Sequence, residues 1–454
     1  MKGPSDAVLG ARLFRSQIFL ILVAISTTFD QTDGAENSKP TERVGGSNAL
    51  PLCQVIAAVL AHNPMIRSAQ AKWQAAKERV PQAAAWEDPK VGGNIVLGRF
   101  VSVPANAFTD QMVSVEQMIP LSGKNRSKER VAAAEALAAF EEARRQELDV
   151  IAKTKASYYR LGNLYQLLEL NKSEEALLIE LRDATRAKFE VGTQGQADLL
   201  VADNERQKIL EARRDLEQKL SAEESILSVL MNRDPFSPLG RPADYQDGSE
   251  LAPGERLRQL VLTNRPEVRE AQAKVSAAKS KLELAKREWI PDPTLSLEAE
   301  RYNAASQILS QVAGGVSTSV PWLNGKKYRA EEKEARSELT AAESEVASAQ
   351  TEALGLLRDQ LKKIETLHHH IELYRDNLLP TAHQAVASYQ ADYAAGKATL
   401  LTLLSSQRDL FELETMYYQD LADHQVAQAE LEALVGLDQK ISAAGKSFVT
   451  GKTP

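Results

Sequence analysis

The sequence holds one cysteine, Cys53, in 454 residues, which excludes an intramolecular disulfide framework and any cysteine-only zinc site within one chain. Aromatic residues are scarce, at 6%, so a core spread along elongated elements is expected in place of a dense central one. No basic excess exists: 55 Lys and Arg stand against 62 Asp and Glu, interspersed, for a formal charge of −7, and nucleic acid is not an expected partner. Long apolar runs are missing too. No stretch reaches 18 apolar residues, so no segment is suited to cross a bilayer as a helix, and any crossing has to be made with strands.

Catalytic signatures are equally absent. There is no Ser-His-Asp arrangement, phosphate loop or dinucleotide fingerprint, so no catalytic residue and no cofactor is expected. His368-His369-His370 is the one cluster that suggests a metal, but neighbours on a helix point about 100° apart and three in a row cannot face one ion. Only Glu372, four residues after His368, could help, and a solvated face is the expected reading. His62, His383 and His424 stand alone, and the pairs Glu141-Glu142 and Glu331-Glu332 read as solvated helix charges.

What is present begins with a leader. Arg12 and Arg15 precede the apolar run Ile18 to Ile25, followed by small and polar residues near Ser26, which reads as a signal peptide over residues 1–26; a membrane anchor is the alternative. Its removal takes the formal charge from −7 to −9. Flexible segments are expected at 27–48 and 439–454.

The rest is a repeat. Asn63-Pro64 opens a segment with Ala69-Gln70-Ala71-Lys72 and Ala75-Ala76-Lys77, and Pro266 opens one with Ala271-Gln272-Ala273-Lys274 and Ala277-Ala278-Lys279. Each runs to a tryptophan and an Asp-Pro stop, Trp86 with Asp88-Pro89 and Trp289 with Asp292-Pro293. A proline-to-glycine-lysine turn follows, Pro120 to Lys124 and Pro321 to Lys326. Later, Phe189 to Gly192 with Leu199-Leu200 answers Tyr393 to Gly396 with Leu403-Leu404. Repeats are expected at 49–240 and 255–438, joined by a linker at 241–254 within the Pro- and Gly-rich stretch Asp234 to Gly254.

Helix propensity runs from about Ser127 to Phe189 and from about Lys327 to Tyr393, with Gly162, Gly355 and Pro380 as the few breakers. About 63 residues of continuous helix would reach on the order of 90 Å. Gly192 and Gly396 suit left-handed caps at hairpin tips, each followed by a second helix of about 35 to 40 residues. Cys53 is expected as a buried thiol in the first helix. Strand pairs are expected at 91–99 with 108–119 and at 294–302 with 308–320, each with an apolar and a polar face. That pattern fits an outer-membrane barrel hairpin or an ordinary soluble one. Four strands cannot close a barrel, so insertion demands oligomerisation, and two, three or four chains all satisfy the count.

Together the Asn-Pro or Arg-Pro helix opening (Asn63-Pro64, Arg265-Pro266), the Asp-Pro strand entry, the glycine-lysine exit and the hairpin-tip pattern resemble the TolC-like outer-membrane efflux family over about residues 50–437. The resemblance implies a mainly α fold of long hairpins in a homotrimer. Its helices would form a periplasmic tube and its twelve strands one barrel in outer-membrane lipid. It implies a passive duct that meets a periplasmic adaptor and an inner-membrane pump at its helix tips, so Gly192, Gly396, Leu199, Leu200, Leu403 and Leu404 are expected at the adaptor-facing end. Asp198 and Asp203 are the candidates for an acidic constriction; Thr402 stands where the second hairpin would carry its aspartate. The short glycine-lysine motif leans toward the heavy-metal branch, with drugs the other substrate class, and Cys53 lacks the setting of a lipidation site. A soluble periplasmic coiled-coil or adaptor protein is the competing reading.

Overall fold

The structure, a computed structural model, describes residues 49–95, 111–243, 254–304 and 307–436. The expected leader, the segments 27–48 and 439–454, most of the linker, and residues 96–99 and 108–110 of the first strand pair lie outside the described residues.

The element order is the same in both halves, except that the counterpart of α3 is divided into two helices in the second. In the first, helices α1 (Leu52–His62) and α2 (Pro64–Ala84) lead to strands β2 (Lys90–Ile95) and β3 (Gln111–Met118), then to α3 (Lys124–Glu190) and α4 (Gln196–Leu230). In the second, α5 (Gly254–Asn264) and α6 (Pro266–Arg287) lead to β5 (Pro293–Ala304) and β6 (Gln307–Thr318), then to α7 (Gly325–Leu373), α8 (Leu379–Ala394) and α9 (Leu400–Val435). Two short strands, β1 (Ala49–Leu50) and β4 (Arg241–Pro242), pair in parallel and tie the ends of the first half together. The hydroxyl of Tyr158 donates to the Leu50 carbonyl at 2.7 Å beside them.

Local chemistry accounts for the boundaries. Asn63 caps α2: its Oδ1 accepts from the Met65 and Ile66 amides at 2.9 and 3.3 Å, and Pro64 takes the first position, where no amide is needed. The 67 residues of α3 form one helix, about 100 Å long. Gly162 and Gly355, expected as breakers, lie inside α3 and α7. Pro380 does not end its helix either. A π-turn over Tyr374–Leu378 separates α7 from α8. It widens the helix at the Asp376 carbonyl, the group that the proline ring would otherwise meet four residues back.

Two buried clusters repeat each other. Val55, Val59 and Ile66 join Leu161, Leu227 and Met231 in the first half, and Leu257, Val261 and Val268 join Ile364, Leu431 and Val435 in the second. These correspond position by position at the spacing seen in the sequence. Cys53 is in α1 but exposed, because the inward face there is taken by Val55, Ile56 and Val59. Glu141 also departs from expectation. It is 1% exposed, between α3 and α6, with the Arg269 Nε at 3.0 Å and Arg144 at 3.8 Å. Burial pushes its carboxyl up, against the pull of both guanidiniums. Among the described residues no helix is long and apolar enough to cross a membrane.

The strands form one antiparallel sheet in the order β2-β3-β5-β6. Its register sorts the side chains. Val91, Val115 and Leu297 line up on one face with Val113, Val312, Leu295 and Val316, all of them exposed. Lys90, Ser114, Glu116, Glu298, Glu300 and Gln311 occupy the other. The outer edges of β2 and β6 are unpaired among the described residues.

The junction between strands and long helices is held across the two halves. Asp292 accepts from the Ser122 amide and from its hydroxyl, both at 2.7 Å, and Lys124 stands 3.6 Å from the same carboxylate. Arg287 closes the contact by donating to the Ser122 carbonyl at 3.0 Å. Burial raises the Asp292 carboxyl, but the two hydrogen bonds from Ser122 and the charge of Lys124 outweigh it and hold it below its usual range.

Candidate functional site: the paired hairpin tips

Both hairpins turn in the same way. At the end of α3 the Thr193 amide donates to the Lys188 carbonyl (3.0 Å) and the Gly192 amide to Phe189 (2.9 Å); at the end of α8, Lys397 donates to Asp392 (2.8 Å) and Gly396 to Tyr393 (3.2 Å). Gly192 and Gly396 both have φ +74°, the left-handed geometry that this closure requires. A Cβ on either would meet nothing within 4 Å, so backbone conformation alone selects glycine there.

The helices that leave the tips start differently. Thr399 caps α9, its Oγ1 accepting from the Thr402 amide at 3.2 Å. Gly195 precedes α4 and offers no side chain, while Asp198 in the first turn places a negative charge at the positive end of the helix. This accounts for the aspartate in one hairpin and the threonine in the other. Asp203, exposed where Asp198 is half-buried, lies about 140° round the helix from it, so the two do not share a face.

The two tips lie side by side. Leu178 and Leu181 of α3, Ala202 of α4, and Tyr393, Leu400, Leu403 and Leu404 of the second hairpin form one buried cluster. Leu403 and Leu404, at 2% and 3% exposure, therefore point into the seam between hairpins, whereas Leu200 is 60% exposed and Leu199 half-buried. Val191 and Leu401 are exposed as well.

Tyr393 is the polar centre of this seam. Its hydroxyl lies 3.1 Å from Thr185 Oγ1 and 3.0 Å from Gln194 Oε1, both in the first hairpin. Lys188 donates to the Tyr393 carbonyl at 2.9 Å and stands 3.7 Å from its ring centroid, a cation over an aromatic face. Arg408 of α9 reaches Glu205 of α4 at 2.9 Å. Burial raises the Glu205 carboxyl, but hydrogen bonds from Lys208 and Arg408 outweigh it and leave it lowered. Within the first hairpin, Glu175 pairs with Arg206 and Arg213. Among the described residues no group of histidines, cysteines and carboxylates has the arrangement of a metal site; His368 instead pairs with Glu372 at 3.3 Å, and His370 with Asp420 at 3.3 Å.

The family model described as outer membrane efflux protein matches residues 55–227 and 257–437, one stretch for each half. The chain belongs to the outer membrane efflux protein family. The pyoverdine export outer membrane protein OpmQ of Pseudomonas aeruginosa is 25% identical over 288 residues, which take in 62% of this chain and 57% of that relative's length. Among solved structures, the CmeC outer membrane channel of Campylobacter jejuni superposes with a TM-score of 0.73 at 14% identity, covering 87% of this chain and 89% of that one. The outer membrane protein VceC of Vibrio cholerae gives 0.71 at 16% identity, covering 85% and 96%. At these identities the likeness to the structures is one of fold.

The sequence alone had not singled out the contacts between the hairpins. Tyr393 entered only as the aromatic before Gly396. The signal was its hydroxyl, since Phe189, at the matching position, has none.

Farther from the tips, Glu174 of α3 faces α9. Burial pushes its carboxyl up to about 7, and the charge of Glu414 adds to the rise. Glu414 is itself raised by burial, against the pull of His383 at 3.4 Å. A raised carboxyl keeps its proton longer in the folded chain than in the unfolded one. Its contribution to stability is therefore full below the ordinary value of 4.5 and is lost as pH rises through about 7. Glu174→Gln is expected to melt later than the unsubstituted protein above pH 7, with the advantage gone by pH 4.5. A difference that is flat across that window would refute the assignment.

Proposed function

We propose that the chain is the outer-membrane channel of an efflux system, a passive duct for substrates that an inner-membrane pump delivers through a periplasmic adaptor. The observation that carries this reading is the sheet: four strands with an exposed apolar face and two open edges, mounted on helices about 100 Å long. A lipid environment suits the face, and other copies suit the edges, because unpaired backbone groups are not tolerated in hydrocarbon. Three copies would give twelve strands, an even number in the range of outer-membrane barrels. The family match and solved relatives named as outer membrane channels support the channel reading.

At the other end, Val191, Leu200 and Leu401 form the apolar surface that the tips offer to an adaptor, while Leu403 and Leu404 hold the two tips together. The acidic constriction is assigned to Asp198, at the tip, in preference to Asp203, about 7.5 Å farther along α4. The proline-to-glycine-lysine motif that leaned toward metal export serves the strand-to-helix junction at Ser122 and Lys124, and so speaks to architecture more than to cargo.

Outer-membrane fractions are expected to contain detergent-stable trimers that conduct in planar bilayers; recovery of the mature protein as a soluble periplasmic monomer would sink the reading. The sheet supplies a sharper test. Leu297→Arg puts a charge on the apolar face in mid-strand, at a cost of about 2–4 kcal/mol if it lies at the bilayer midplane. Glu298→Arg, on the opposite face, is expected to leave insertion intact. Equal insertion of the two variants would remove lipid from the argument.

A further inference from the structure

The two halves of one chain are joined by a seam that each chain also carries, unclosed, on its outer flanks. Inside the chain β3 runs antiparallel to β5 with Met118 opposite Thr294, the Ile119 amide donates to the Pro293 carbonyl at 2.9 Å, and Asp292 clamps the turn at Ser122. The repeat supplies counterparts for the strands, the acid and the turn, while the place of Arg287 falls among Ala83, Ala84 and Ala85. Asp88-Pro89 corresponds to Asp292-Pro293 and leads into β2; Pro321 corresponds to Pro120 and follows β6; Asn324-Gly325-Lys326 corresponds to Ser122-Gly123-Lys124.

The counterparts lack what the originals have. Ser122 is 2% exposed, whereas Asn324 is exposed and Leu323 beside it is 83% exposed. The Asp292 carboxylate is buried under Ser122 and Lys124, whereas Asp88 is exposed, with no hydrogen bond or ion pair among the described residues. One chain therefore presents an acid without its turn on one flank and a turn without its acid on the other.

We propose that neighbouring copies close this second seam on each other, Asp88 of one copy receiving the Asn324–Lys326 turn of the next as Asp292 receives Ser122–Lys124 within the chain. The proposal rests on the oligomeric channel reading and adds a register to it. Carrying the internal pairing over by the repeat sets Lys90 of one copy opposite Ser319 of the next, and the Val320 amide against the Pro89 carbonyl. The chemistry of the turn fits. The Asn324 side chain can donate to a carboxylate as the Ser122 hydroxyl does, and Lys326 supplies the charge that Lys124 supplies inside. The faces agree as well. Val316 falls opposite Gly93 and Thr318 opposite Val91, so the apolar face of β6 continues into the apolar face of β2, and a slip of one residue would turn one of them over. The occupant of each flank is thus a second copy of this chain.

In a Cys53→Ser background, Lys90→Cys with Ser319→Cys is expected to give covalent dimers and trimers on oxidation, seen in non-reducing denaturing gels. Lys90→Cys with Ser317→Cys, two residues out of register, is expected to give about tenfold less, because directly opposed Cα atoms lie within disulfide reach and diagonal ones beyond it. Met118→Cys with Thr294→Cys, the internal pair, should oxidise within the monomer and serves as the positive control. Asp88→Ala is expected to lower the temperature at which the oligomer dissociates. Intact oligomers that crosslink best at the shifted pair, or at neither, would overturn the seam and leave the channel reading standing. Unchanged dissociation in Asp88→Ala would overturn the clamp. Monomers throughout would overturn the channel reading and the seam with it.

Discussion

Tyr393→Phe is expected to raise the open fraction of the reconstituted channel by about fivefold. The substitution keeps the ring in the buried cluster of Leu178, Leu181 and Leu403 and keeps the Lys188 ammonium over its face. What it removes is the hydroxyl that lies within hydrogen-bond distance of Thr185 and Gln194, both in the other hairpin. Thr185 retains its bond to the Leu181 carbonyl at 2.8 Å, so it is not stranded by the change. With the Thr185 proton given to Leu181, the one proton of the Tyr393 hydroxyl makes a single hydrogen bond across the seam, worth about 1 kcal/mol net, and a shift of that size moves a two-state equilibrium by the factor given. Single-channel recording in planar bilayers reads this directly. Lys188→Met, which deletes both the bond to the Tyr393 carbonyl and the cation over the ring, should act in the same direction. If both variants gate as the unsubstituted protein does, the seam between the tips is packing and not a latch.

Gly436→Ala is expected to cost about 2–4 kcal/mol of folding stability, from left-handed strain together with overlap against a neighbouring backbone. Gly436 ends α9 with φ +71°, and a Cβ on it would sit 2.7 Å from the Asn264 carbonyl oxygen and 3.1 Å from its carbon. That neighbour is backbone at the corner between α5 and α6 and cannot rotate aside. The Gly436 carbonyl also accepts from Arg144 Nη2 of α3 at 3.0 Å, so a shift here is felt on three sides. The first half provides the control. Its corresponding residue, Asn232, is left-handed too, at φ 54°, and asparagine tolerates that region better than other side chains. Asn232→Ala should therefore cost less than Gly436→Ala. Urea unfolding in detergent gives both numbers, and near-equal losses would show that the approach to Asn264 carries no weight.

Much of the fold was legible in the sequence because its signals are local. Helix formers in long runs, Pro64 and Pro266 at first helical positions, glycines at left-handed caps and period-two strands each act within a few residues of the chain. The repeat then multiplied weak signals into a firm one. What escaped was set by contacts between distant residues. Asp292-Pro293 was legible as a strand entry, but nothing near it says that its carboxylate binds Ser122, 170 residues away. Glu141 looked like half of a solvated pair and is buried against Arg269 of the other half. The pairs Leu199-Leu200 and Leu403-Leu404 match in sequence and differ in environment, because only the second faces a neighbouring hairpin. Periodicity cannot report which of two equal faces finds a partner.

The π-turn at Tyr374–Leu378 separates the two hairpins in a way that their shared outline conceals. The first hairpin rises through α3 without interruption, whereas the second has one widened turn followed by a proline that cannot close the next hydrogen bond. In a ring of three copies, six hairpins would alternate between a rigid stave and a jointed one. A load applied at the tips would then divide unequally: the rigid staves carry the length, and the jointed ones take up the bend about 27 Å from Gly396.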